Sequence, residues 1–274
     1  MNISLKTLQL KAKREVYTHL SGNHLSKLFG EGYDFAELRE YQIGDDIRKI
    51  NWTITAKLGK PYIKELHSNR ELSVVVCSLC DGGFYFGEGN DKQKIVTEVA
   101  TILAYATQLN SDLFMGINYK PNSTYCTPPT KEIYYIEEFS KDIFEANLLG
   151  TSLNYNLSIE NLFQRVYKPS LIFIIGDFLE EVDLSILAQK HEVIAIIVRD
   201  RAEENPNILG DVILSSSKYN MTLDTYFGQK SINKYINRLK KHDNKLQEDF
   251  LTYNIPYIKV YTDEDILSKL MLLF

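Results

Sequence analysis

The residues best placed to do chemistry stand at 80–87, CDGGFYFG, directly after the apolar run LSVVVCSL at 72–79. A buried strand that runs into an aspartate and two glycines is a recurrent way to present a ligand at the carboxyl edge of an α/β sheet. Asp81 is the acid in that position. A second acidic stretch, Gly44, Asp45 and Asp46, resembles a Gly-Asp-Asp metal site but is followed by Ile47 and Arg48. That arginine is placed to neutralise a carboxylate, and a metal would need further acids from neighbouring strands. Cys77 and Cys80 form a C-x-x-C inside a strand pattern, where residues three apart point to opposite faces, so both read as small buried hydrophobes. His19, His24, His67, His191 and His242 are scattered, with no triad or metal spacing among them.

The elements that must position these residues follow from periodicity. From residue 71 onward, β-branched runs alternate with helical patterns, the signature of βαβ units around a mostly parallel sheet. Strands are expected at 72–79, 112–119, 170–177, 191–198 and 256–261. Between them, Ile95, Val99, Ile102, Leu103, Ala106 and Leu109 recur at helical spacing. So do Leu157, Phe163 and Val166, then Ile232, Ile236 and Leu239, then Ile266, Leu267 and Leu270. Thr262, with Asp265 three residues on, is the expected N-cap of a final helix starting near 263. Segments 211–214 and 222–227 are expected to pair antiparallel at the sheet edge.

The first seventy residues differ, giving the division 1–70 and 71–274. A helix is expected over 5–28, its Lys6, Lys11, Lys13, Arg14 and Lys27 forming a solvated face and the only basic concentration in the chain. A dense charged stretch follows, in which Glu37, Arg39, Asp45, Asp46 and Arg48 are close enough to pair and Trp52 supplies an apolar anchor.

A chain of 274 residues buries its own core, and a net charge of −5 with 44% hydrophobic residues gives no sign of a nucleic-acid partner. The odd count of three cysteines suits a reducing compartment, and runs such as LIFII at 171–175 are too short to cross a bilayer. No signal-peptide core is visible, so the expected location is cytoplasmic.

Residues 30–56 resemble the signature of the large bacterial family first catalogued as domain of unknown function number fifty-eight, roughly G-x-G-x-E-F-x-x-x-R-x-Y-x-x-G-D-D-x-R-x-I-D-W-x-x-x-A. Here the positions are Gly30, Gly32, Asp34, Phe35, Arg39, Tyr41, Gly44, Asp45, Asp46, Arg48, Ile50, Asn51, Trp52 and Ala56, with aspartate for glutamate at 34 and asparagine for aspartate at 51. Asp200, Glu203 and Pro206 resemble the family's D-x-x-E-x-x-x-P, with the proline one residue early. The resemblance implies an α/β fold, a von Willebrand factor A-like, Rossmann-type, mostly parallel sheet with helices on both faces. It also implies work beside a MoxR-type AAA+ ATPase as an adaptor or co-chaperone for an unknown client protein.

Such domains often hold Mg²⁺ in a metal-ion-dependent adhesion site, D-x-S-x-S plus a threonine and a second aspartate. The resemblance places Asp81, Thr151 and Asp177 in those roles, but Gly83 and Tyr85 stand where the two serines belong. Glycine brings no side-chain oxygen and tyrosine only a phenol on a rigid ring, so the site reads as degenerate, weak or empty, and no cofactor is expected. Two carboxylates left facing each other raise one pKa or call in a lysine or arginine. The expected function is therefore a non-enzymatic interaction module without nucleic-acid binding or membrane span, with Tyr85 as an exposed partner anchor. The alternative is a metal-dependent hydrolase or phosphotransfer enzyme using Asp45, Asp46, Asp81 and Asp177.

Overall fold

The chain divides into two units, residues 22–71 and residues 1–21 with 72–274. The computed structural model describes residues 4–19, 38–42, 45, 47, 50, 52, 55–56, 59–64, 72–86, 91–207, 210–219 and 221–273. The larger unit opens with α1 (Leu5–His19), whose Leu8, Ala12 and Val16 are buried at a four-residue spacing. In the smaller unit, β1 (Leu38–Glu40) and β2 (Tyr62–Lys64) pair antiparallel with Arg39 opposite Ile63. The Tyr41 amide extends the pairing onto the Pro61 carbonyl at 2.8 Å, and the Asp45 carboxylate accepts the Gln42 amide at 2.8 Å. Gly44, Asp46 and Arg48 lie outside the described residues. Trp52, expected as an apolar anchor, is 65% exposed.

The apolar stripe of α1 packs on α2 (Asp91–Leu109), so the first helix groups with residues 72–274 rather than with residues 22–71. Its basic face is only partly solvated: Lys11 donates to Glu98 of α2 at 2.5 Å, and the Lys13 ammonium lies 5.9 Å from the centre of the Tyr105 ring. Residues 20–28 of the expected helix are outside the described residues.

The expected strands are all present: β3 (Ser73–Leu79), β4 (Leu113–Lys120), then β6 (Leu171–Gly176), β7 (Glu192–Arg199) and β10 (Tyr257–Tyr261). With β5 (Ser123–Cys126) they form a six-stranded sheet of order β10-β7-β6-β3-β4-β5, in which only the β4–β5 pair is antiparallel. The central strands β3, β6 and β7 are almost wholly buried, as parallel strands covered on both faces must be. Val75, Cys77 and Leu79 of β3 join a core with Tyr155, Ile159 and Leu162 of α4 (Tyr155–Arg165) and Leu246 and Phe250 of α7 (Gln229–Thr252). Val74 and Val76 point to the other face, where α2 packs against β3.

Some elements escaped the sequence reading. Beyond β5 there is α3 (Ile133–Phe144), whose buried Ile136, Phe139 and Ile143 repeat at three and four residues and were legible in principle. The short helices α5 (Ser185–Ala188) and α6 (Arg201–Glu204) are tight turns around the sheet. Strands β8 (Gly210–Ser215) and β9 (Thr222–Phe227) do pair antiparallel, but as a separate two-stranded sheet rather than an extension of the main one. The last helix is α8 (Ile266–Leu270), capped by Asp265 accepting the Ser268 amide, because a carboxylate one residue before the helix reaches that amide directly. Thr262, the expected cap, instead donates its hydroxyl to Asp200 at 2.7 Å.

Candidate functional site

Strand β3 leads on to β4 on one side of it, whereas its other neighbour β6 leads on to β7 in the opposite direction. Between β3 and β6 the connections therefore diverge, the position at which α/β sheets commonly present a ligand site. Asp81 follows β3 and Asp177 follows β6, so both acids expected at a common site stand at that switch point, and both are fully buried.

After Asp81 the chain turns through one 3₁₀ turn, Gly82–Phe84, capped by Asp81 Oδ1 accepting the Gly83 amide at 2.8 Å. Gly83 is held against both acids. A Cβ added there would lie 2.3 Å from Asp177 Oδ2, 2.8 Å from Lys218 Cε and 2.9 Å from Asp81 Oδ1. Only glycine fits so close an approach.

Two ammonium groups reach this pair. Lys218, from the tip of the β8–β9 hairpin, places Nζ 2.9 Å from Asp81 Oδ2 and 3.1 Å from Glu180. Lys92, in the first turn of α2, lies 3.6 Å from Asp177 Oδ2 and donates to Glu203 at 2.5 Å. Asp177 Oδ1 accepts from the Tyr155 hydroxyl at 3.0 Å and the Leu179 amide at 3.1 Å, while its Oδ2 has no hydrogen-bond donor among the described residues. Behind it, the buried Arg199 donates to the Asp177 carbonyl at 2.5 Å and the Phe178 carbonyl at 3.2 Å. These bonds hold Phe178 at φ 49°, a left-handed conformation that side chains avoid, and so fix the direction of the loop after β6.

Burial pushes both carboxyls upward. At Asp177 the charges of Lys92 and Lys218 outweigh it and hold the carboxyl below the usual range. At Asp81 burial and the charge of Asp177 prevail over Lys218, and the carboxyl is raised. Burial also raises Glu203 despite Lys92, and burial with Asp177 holds the Tyr155 phenol well above its ordinary value, so it remains a donor. The paired acids have thus both split their titrations and drawn in lysines, as two facing carboxylates require.

The divalent cation implied by the resemblance does not fit the residues present. Asp177 Oδ2 has a lone pair to offer a cation, but Asp81 Oδ2 already holds an ammonium and Gly83 supplies no side-chain oxygen. Lys92 and Lys218 already counter the two carboxylates, so a divalent ion would meet a like charge at bonding distance. Tyr85 is half-buried; the exposed aromatic of that loop is Phe86.

Asp81, Thr151 and Asp177, expected together from the sequence, stand at this edge, and they are joined there by Lys92, Lys218, Glu203, Tyr155 and Arg199, which were not expected. For Glu203 a signal existed. Asp200 and Glu203 form a capping box, Asp200 accepting the Ala202 amide at 2.8 Å and Glu203 the Asp200 amide at 3.0 Å, which aims Glu203 inward at Lys92. Asp45 belongs to the other unit. The basic concentration of the first helix is not the only one: Lys230, Lys234, Arg238, Lys241 and Lys245 recur along one exposed face of α7.

The family model described as protein of unknown function DUF58 matches residues 37–245. The Mycobacterium tuberculosis protein named Uncharacterized protein Rv1480 is 22% identical over 276 residues, spanning 98% of this chain and 87% of its own length. Uncharacterized protein Mb1516 of Mycobacterium bovis matches to the same extent, 22% identity with 98% and 87% covered. Among solved structures, conserved hypothetical protein BatB from Bacteroides thetaiotaomicron aligns with a TM-score of 0.43 and 12% identity, covering 74% of this chain and 95% of that one. An aerotolerance-related membrane protein from Bacteroides fragilis gives the same TM-score of 0.43 at 12% identity, with 74% and 96% covered.

Proposed function

This chain belongs to the DUF58 family of proteins of unknown function, and on that premise we propose that it is a protein-interaction module rather than an enzyme. It is a cytoplasmic, von Willebrand factor A-like adaptor or co-chaperone that joins a MoxR-type AAA+ ATPase to client proteins. The observation that carries this reading is the character of the carboxyl edge. Its acids are consumed in internal ion pairs, while segments that reach this edge carry exposed apolar side chains: Phe86, Leu149, Leu157 and Tyr219 are 40%, 60%, 62% and 51% exposed. Phe86 lies on the loop after β3, Leu149 on the loop before Thr151, Leu157 in the first turn of α4, and Tyr219 on the hairpin tip. Apolar and aromatic anchors framed by polar groups are what a protein partner buries. Among the described residues no helix is long and apolar enough to cross a membrane.

The test is binding of the purified chain to a MoxR-type ATPase from the same organism, measured by calorimetry. Phe86→Ser and Leu157→Ser should each weaken it about tenfold, the effect of losing one anchor of about 1.4 kcal/mol. An ATPase that fails to bind the wild type, or binds both variants unchanged, overturns the assignment.

A further inference from the structure

We propose that Lys218 is the resident cation of the carboxyl edge: its ammonium takes the place of a divalent metal and ties the hairpin tip to the loops after β3 and β6. Three observations support this. The ammonium lies 2.9 Å from Asp81 Oδ2, 3.1 Å from Glu180 Oε1 and 5.6 Å from the centre of the Tyr155 ring, in a residue only 9% exposed. An ammonium with three donors is satisfied by such a set, whereas Mg²⁺ demands about six oxygens.

The lysine is also delivered by a seated backbone. The Gly150 amide donates to the Ser217 carbonyl at 2.8 Å, the Ser152 and Tyr219 hydroxyls lie 3.1 Å apart, and Ser216 Oγ accepts the Tyr219 amide at 3.1 Å. Gly82 backs so closely onto the tip that an added Cβ would stand 2.0 Å from the Ser217 carbonyl oxygen. The hairpin tip is thus built into the edge, and Lys218 reaches in from a fixed base.

Gly83 and Lys218 are, moreover, a matched pair. The lysine stem fills the space in front of Gly83, its Cε 2.8 Å from where a Cβ would be. A serine at 83 would press on the lysine stem as well as on both carboxylates, so the bare glycine and the inserted lysine suit each other.

The test is thermal unfolding and calorimetric titration with Mn²⁺ or Mg²⁺. The wild type should show no binding heat and no change in Tm in millimolar metal. Lys218→Ala should lower Tm by roughly 5–15 °C, the effect of stranding a buried carboxylate in a chain of this size. Millimolar Mn²⁺ should restore more than half of that loss, and should restore none in the Asp81→Asn/Lys218→Ala double variant. One-site metal binding by the wild type overturns the proposal, as does a Lys218→Ala protein that is as stable as the wild type or that metal fails to rescue. If Lys218→Ala does not fold, the wild-type titration decides: silence supports the internal cation and one-site binding refutes it. Metal binding by the wild type would leave the adaptor reading intact, and loss of the ATPase partner would leave Lys218 in place, so the two failures are distinguishable.

Discussion

One four-residue helix, α6, sends two charged side chains to opposite fates. Arg201 turns outward, 54% exposed, bonding Asp263 at 2.9 Å and Glu264 at 3.0 Å and lying 4.3 Å over the Tyr261 ring. Glu203 turns inward, 4% exposed, to the equally buried Lys92 and the edge of the sheet. The distances are similar and the energetics are not. An exposed pair exchanges water for a partner at little net gain, whereas a buried charge that loses its partner has no water to return to. Position along the fold, and not the count of ion pairs, decides which charges hold this protein together.

Lys92→Met should separate the two clusters most sharply. It strands Glu203 and weakens the field on Asp177, so urea unfolding should show a loss of about 3–5 kcal/mol. An equal loss for Arg201→Ala would break the contrast. Gly83→Ala should cost about 1–3 kcal/mol in the same measurement, because its methyl meets Asp177 Oδ2 at 2.3 Å and only a shift of the buried cluster relieves it.

His191 extends the rule to a charge for which the described residues provide no partner: it is 6% exposed and neither ring nitrogen is bonded. Burial and the neighbouring Lys190 lower its pKa below the ordinary 6.5. The unfolded chain therefore binds more protons just below pH 6.5, and His191's contribution to stability is lost as pH falls through that value. Chemical denaturation from pH 7.5 to 5 should show this decline, and His191→Phe should flatten part of it. The smallest effect is reserved for Arg201→Ala, which should leave Tm unchanged within error because its charge remains in solvent.

Much of this architecture was legible. The five main strands emerged from their apolar runs because a strand covered on both faces needs little from its neighbours beyond continuous hydrophobicity. The helix over 133–144 carries the same kind of signal, since Ile136, Phe139 and Ile143 repeat at helical spacing. The cap of α8 was misassigned because Thr262 and Asp265 are both sound capping residues, and Asp200 claimed the threonine.

The site divides along a different line. Chain order alone determined that Asp81 and Asp177 end buried strands, and residue chemistry alone determined that Gly83 and Tyr85 make poor ligands and that facing carboxylates need a cation. Which cation arrives was decided only by tertiary structure. Lys92 meets Glu203 across 111 residues of sequence, and Lys218 reaches Asp81 from the tip of a hairpin that is not part of the main sheet. A strand is specified by side chains a few residues apart, so sequence reveals it. An ion pair between distant segments exists only once folding has brought both ends to one edge and removed the water that would otherwise have served each charge alone.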